Sequence, residues 1–92
     1  MTATPDFPRR AEHVVGRRVE ETFVLLNVQS GAYYTLDEIG GRIWELCDGS
    51  HSTADIATLL AADYDAPPVT IESDVLELVA ELRREAMLDQ PS

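Results

Sequence analysis

Ninety-two residues, 45% of them apolar, suffice for one small hydrophobic core but not two, and that composition excludes a disordered tail. Seventeen acidic residues against seven basic give a formal charge of −10. This disfavours nucleic acid and anionic membranes, which are bound through Lys and Arg, whereas a basic peptide or protein would be steered inward.

Residues 1–10 bear Pro and Arg without the apolar segment of a secretory signal, and no run reaches the roughly 18 apolar residues of a bilayer span. A flexible arm over 1–10, one domain over 11–89, a tail over 90–92 and a cytoplasmic location are expected. Ala11 to Val19 is a modest strand candidate in which Gly16 suggests a bulge or bend. Glu20-Glu21 is a turn leading into the stretch that organises the chain, Thr22 to Asp37.

That stretch reads as a β-hairpin. Phe23-Val24-Leu25-Leu26 and Tyr33-Tyr34-Thr35 are runs of strand formers separated by the turn cluster Gln29-Ser30-Gly31. A three-residue loop closed by Gly31 sets Val28 opposite Ala32, Leu26 opposite Tyr34 and Val24 opposite Leu36. Period-two alternation then gathers those six side chains on a core face and leaves Leu25, Asn27, Tyr33 and Thr35 on a mixed face. With the preceding strand this makes an antiparallel three-stranded meander.

Asp37 can cap a first helix over Glu38 to Asp48, with Ile39, Ile43, Leu46 and Cys47 as its apolar stripe and Gly49 as its stop. Gly40-Gly41 lowers helix propensity and points to close approach of helix and sheet. Trp44, off the stripe, seals the helix against a neighbour. Ser52 with Asp55 forms a capping-box signature for a second helix, whose apolar face is Ile56, Leu59, Leu60 and Tyr64 and which ends before Pro67-Pro68. Thr70 then caps a third helix over Ile71 to Met87. Its apolar arc of Ile71, Val75, Leu78, Leu82 and Ala86, widened by Val79, Leu76, Ala80 and Met87, exceeds what one core contact needs. Either it packs on several elements at once, or part of it lines a groove rimmed by Asp74, Glu81 and Glu85.

Catalytic and metal signatures are absent. There is no phosphate loop, no paired Cys or His at metal spacing and no nucleophile elbow, so neither a cofactor nor a metal is expected. Cys47 is alone in an apolar pattern and reads as a buried, inert thiol. Asp63, Asp65, Glu72 and Asp74 read as caps and solvated charge. A binding module is expected, not an enzyme.

The run L-L-N-V-Q-S-G-A-Y-Y-T-L-D-E-I-G-G-R-I-W-E-L-C-D-G, followed by S-T-A-D-I and I-E-S-D-V-L-E-L-V-A-E-L, resembles the family of PQQ-synthesis protein D (PqqD). That family supplies the recognition elements of ribosomally made, modified peptides (RiPPs), and the form most similar in pattern is the freestanding protein of lasso-peptide clusters. The resemblance covers roughly Val14 to Leu88. It implies an α+β, winged-helix-like fold, a three-stranded antiparallel sheet followed by a three-helix bundle (βββααα). It also implies a non-catalytic role: the leader of a precursor peptide adds as a strand to the third strand, lies against the third helix, and is delivered to a cysteine-protease-like leader peptidase and a cyclase. On this chain Tyr33, Tyr34 and Thr35 would supply the edge, and Asp74, Val75, Leu78, Glu81 and Leu82 would face the leader. Asp37 stands where many relatives have asparagine, and Ala86 where a glycine is common.

The segment Ala32 to Leu36 has no charge, proline or bulge of the kind that blunts an exposed edge, as suits a strand that recruits another chain. An N-terminal arm carrying Pro5, Phe7 and Pro8 and folded over that edge would leave the same sequence pattern. Two alternative functions are a PqqD-type peptide chaperone for a radical-SAM enzyme and a winged-helix DNA-binding regulator, the latter on fold analogy alone. A monomer or an edge-strand dimer is expected, with no nucleic acid or membrane partner.

Overall fold

The computed structural model describes residues 6–90. Val14–Val19 (β1), Thr22–Asn27 (β2) and Tyr33–Leu36 (β3) form an antiparallel sheet in the order β1-β2-β3. Glu38–Leu46 (α1), Thr53–Tyr64 (α2) and Pro68–Arg84 (α3) follow, so the βββααα order is as expected. Among these residues no helix is long and apolar enough to cross a membrane.

The β2–β3 register differs by one residue from the expected one. Phe23 pairs with Leu36, Leu25 with Tyr34 and Leu26 with Tyr33. The cause is Asn27. Its amide donates to the Ala32 carbonyl at 2.8 Å, and its side-chain Oδ1 accepts from the amides of Gln29 and Ser30 at 3.0 and 3.1 Å. Asn27 thus opens the turn itself, and the loop runs from Val28 to Gly31, whose φ of 81° suits glycine. A one-residue slip turns every β2 side chain over. Phe23, Leu25 and Asn27 are buried, whereas Leu26 and Val28 face solvent and Val24 is half-buried.

Gly16 sits in an unbroken ladder with β2 and makes no bulge. Its missing side chain makes room for aromatic rings, since a Cβ there would lie 2.4 Å from Trp44 and 2.6 Å from Phe23. Phe23 and Trp44 pack with ring centroids 5.7 Å apart. Gly41 serves the same end on α1, where a Cβ would come within 2.8 Å of Phe23. Helix α1 therefore lies hard against the sheet, as its glycine pair suggests.

The helix starts follow the caps. Asp37 accepts from the Gly40 amide at 2.7 Å, and Ser52 and Asp55 form a reciprocal box with both bonds at 3.0 Å. On α2 the buried face is Ile56, Ala57, Leu60 and Ala61; Leu59, expected inside, is exposed. Helix α3 begins earlier than expected, with Pro68 at its first turn, where a missing amide costs nothing. It ends at Arg84 in a left-handed cap: Ala86 takes φ 59° while its amide donates to Arg83 and that of Met87 to Leu82, at 3.1 and 2.8 Å. Met87 and Leu88 then fold back into the core beside Leu82. Fully buried leucines such as Leu25, Leu60 and Leu82 each contribute about 1.5–3 kcal/mol relative to an exposed side chain.

Residues 1–5 and 91–92, with the outer half of the expected arm, Pro5 and the end of the tail, lie outside the described residues. From Asp6 onward the N-terminal segment is bound along a seam. Gly49 donates to Pro8 and Arg10 to Cys47 on one side; Asp89 donates to Arg9 and Ala11 to Met87 on the other. Arg83 grips the Asp6 carboxylate through both terminal nitrogens at 2.7 Å.

Candidate functional site

Because β3 comes last in the sheet order, one of its edges faces away from β2, and among the described residues that edge has no ladder partner. The Asn27–Ala32 bond fixes which groups point outward. Antiparallel ladders alternate hydrogen-bonded and non-bonded pairs, so Tyr34 and Leu36 bond toward β2 while Tyr33 and Thr35 turn their N–H and C=O groups to the open side. The N-terminal segment from Asp6 to Ala11, whose possible cover of this edge the sequence leaves open, runs instead between the α1–α2 connection and the C-terminal segment.

Beside the open edge lies a groove of about 410 Å³. Tyr34, Thr35 and Leu36 form one wall, Leu78 and Asp74 the other, and Ile39 and Ile43 contribute the apolar floor. Gly40 and Asp37 also line it. Tyr34 reaches across from β3 to donate its hydroxyl to Glu81 of α3. This bond to a carboxylate, with burial and the charges of Glu81 and Glu85, pushes the phenol up to about 12.

The expected site residues divide into two groups. Tyr34, Thr35, Leu36, Asp74 and Leu78 meet around the groove, Glu81 is bound to Tyr34, and Ala32 and Tyr33 lie exposed along the same edge. Val75 and Leu82 do not belong with them: both are 0% exposed and face the core, so they have no surface to offer a ligand. The sequence placed them in one apolar line with Leu78, but helical geometry turns that line inward at Val75 and Leu82 and leaves Leu78 half-exposed at its border. The sequence marks Ile39, Ile43, Asp37 and Gly40 of the lining only as core stripe, cap and close-approach glycine. The excess breadth of the α3 arc is the signal that an apolar floor existed opposite it.

Elsewhere the chemistry is quiet. Cys47 is fully buried, donates to the Ile43 carbonyl at 3.1 Å, and has its thiol pushed up to about 12 by burial. Asp48, Ser50 and His51 cluster, but both contacts of His51 use Nδ1, and the Ser50 hydroxyl lies closer to Asp48, at 2.7 Å, than to the ring, at 3.4 Å. A catalytic relay needs the two ring nitrogens on different partners. The Ser50 hydroxyl and amide together hold the Asp48 carboxyl well below the usual range, which describes a capped turn. Among the described residues no group of three or more His, Cys, Asp or Glu side chains could hold a metal ion.

Known proteins resemble this chain in sequence and in fold. The chain is 45% identical over 53 residues to a PqqA binding protein of Xanthomonas oryzae pv. oryzae, a stretch covering 58% of each chain. It is 33% identical over 57 residues to the bifunctional coenzyme PQQ synthesis protein C/D of Methylorubrum extorquens, covering 62% of this chain and 15% of that one. The match thus spans less than two thirds of either relative. Among solved structures, the lasso peptide synthetase B1 complexed with the leader peptide superposes with a TM-score of 0.80 at 26% identity, covering 91% of this chain and 99% of that one. TbiB1 in complex with the TbiA(beta) leader peptide gives 0.80 at 27%, covering 91% and 98%. The PqqD truncation of Methylobacterium extorquens PqqCD, a stand-alone RiPP recognition element, gives 0.78 at 32%, covering 90% and 88%. Residues 22–88 match the family described as coenzyme PQQ synthesis protein D, and with strand order and helix order as that family's resemblance implies, this chain belongs to the PqqD family.

Proposed function

We propose that this protein captures the leader segment of a precursor peptide by strand addition to β3, against α3, and delivers it to the enzymes of RiPP maturation. One observation carries the reading: an open backbone edge at Tyr33 and Thr35 lies directly beside a groove lined by Ile39, Ile43 and Leu78. Backbone bonds give such a complex sequence-blind affinity, and alternate side chains entering the groove give it selectivity. The names of the relatives, which bind PqqA or a lasso leader, support the same role. The tyrosine pair and the Ile43-Trp44 step favour a lasso-type precursor, with a cysteine-protease-like peptidase and a cyclase as cytoplasmic partners. The role proposed is one of binding and not of catalysis, in keeping with relatives named as a PqqA binding protein and a stand-alone recognition element. A DNA-binding role is disfavoured by the charge of −10.

The test is a titration with fluorescein-labelled synthetic leaders of the short precursor peptides encoded beside this chain. Saturable micromolar or tighter binding is expected. Leu78→Lys should weaken it by about tenfold or more, because it sets a charge in the apolar part of the groove's α3 wall, and should leave the far-UV circular dichroism unchanged. A leader that binds wild type and Leu78→Lys equally, or no binding by any neighbouring leader, would refute the reading.

A further inference from the structure

Strand β3 and helix α3 run in opposite directions along the groove: Tyr34 meets Glu81, while Leu36 and Asp37 share the groove with Leu78 and Asp74. On α3 the positions 81, 78 and 74 lie on one face, with rises of about 4.5 and 6 Å between them. A strand laid along β3 turns every second side chain into the groove, at steps of about 6.6 Å. Successive groove-facing side chains therefore pass Glu81, then Leu78, then Asp74 in turn, each within about 3 Å of its level.

These three stations differ in chemistry. Glu81 is already engaged by the Tyr34 hydroxyl, and the charge of Arg84 is felt at that end. The middle station is aliphatic, with Leu78 over Ile39 and Ile43. At the far station the carboxylate of Asp74 has no hydrogen-bond or ion-pair partner among the described residues, that of Asp37 caps α1, and no Lys or Arg lines the groove. Arg42, the basic residue on α1, is held by Asp63 at 2.6 Å.

We infer that the groove reads a two-point motif, an aliphatic side chain seated on Leu78, Ile39 and Ile43 and, two residues away, a lysine or arginine whose cation meets Asp74. The inference rests on strand addition to β3 and specifies the class of peptide that the site takes. The direction of the added strand decides whether the cation precedes or follows the aliphatic residue.

The probe is a phage-displayed library of random dodecapeptides, selected on the whole chain and in parallel on Asp74→Lys, with the selected peptides then synthesised and titrated. Both are also measured on Thr35→Pro, which blocks the outward amide of the edge where proline is tolerated. Circular dichroism verifies that each variant is folded. Wild-type selections should converge on an aliphatic residue with Lys or Arg at two-residue spacing. Those peptides should bind Asp74→Lys about tenfold more weakly, and Asp74→Lys should itself select Asp or Glu at that position. Peptides that need an intact Thr35 yet show no basic preference, and bind wild type and Asp74→Lys alike, would overturn the motif and leave strand addition standing. Selections that yield no peptide, or only peptides indifferent to Thr35→Pro, would overturn both.

Discussion

Tyr34 carries more of the site than any other side chain, because its ring walls the groove while its hydroxyl ties β3 to Glu81. A phenol raised from 10 to about 12 keeps its proton in the folded chain after the unfolded chain has lost it. The associated stability is therefore complete below about pH 10 and declines as pH rises to about 12. In Tyr34→Phe the tyrosinate absorbance step near pH 12 should vanish and the loss of stability between pH 10 and 12 should flatten; a step that persists assigns the shift to another tyrosine. Ala86 offers a second residue-scale test. At φ 59° it occupies the cap position that glycine fills without strain, so Ala86→Gly should stabilise the fold by about 1 kcal/mol, read as a higher urea midpoint at unchanged slope. The family resemblance flags this position, but only the backbone shows that α3 has already ended at Arg84, two residues before it.

At the scale of elements, the sheet and α1 form one unit closed by aromatic rings over glycines. Gly16→Ala would thrust a methyl into Trp44 and Phe23, neither of which can yield by flexing a tip, and is expected to cost about 1–3 kcal/mol in chemical denaturation. An unaffected midpoint would mean that α1 can move off the sheet. This unit also shows what the sequence can and cannot reveal. Strand runs, the Asp37 cap and the Ser52 box are written in local residue chemistry, and all appear where expected. The β2 register depends on whether Asn27 is the last strand residue or the first turn acceptor, a choice that one side-chain oxygen makes in three dimensions. The error stays within β2. Tyr34 and Leu36 keep their inward facing because the Asp37 cap anchors β3 from its other end, so the open edge was legible although its neighbour was not.

Across the whole molecule, the seam from Asp6 to Ala11 joins the α1–α2 connection to the C-terminal segment, and Arg83 fastens it. The hydrogen bonds from Arg83 hold the Asp6 carboxyl below its ordinary range, so their contribution is present at neutral pH and lost as pH falls through the carboxylate range. Asp6→Asn should lower stability at pH 7 by on the order of 1 kcal/mol, the ion pair being partly exposed, and should lose less than wild type on acidification. Equal losses would show that the pair contributes nothing. No sequence signal pairs Asp6 with Arg83, since residues so far apart meet only once the sheet and helices have assembled. The groove was half-legible for a related reason: its walls lie on β3 and α3, but its floor comes from α1 residues indistinguishable from ordinary core. Trp44, the sole tryptophan, lies outside that groove, against Phe23 and beneath the guanidinium of Arg10 at 5.3 Å. Its emission is thus an optical gauge of whether the seam and the sheet are assembled, and a spectator of the groove's occupancy, so an intrinsic-fluorescence assay would follow unfolding while staying blind to the arriving peptide.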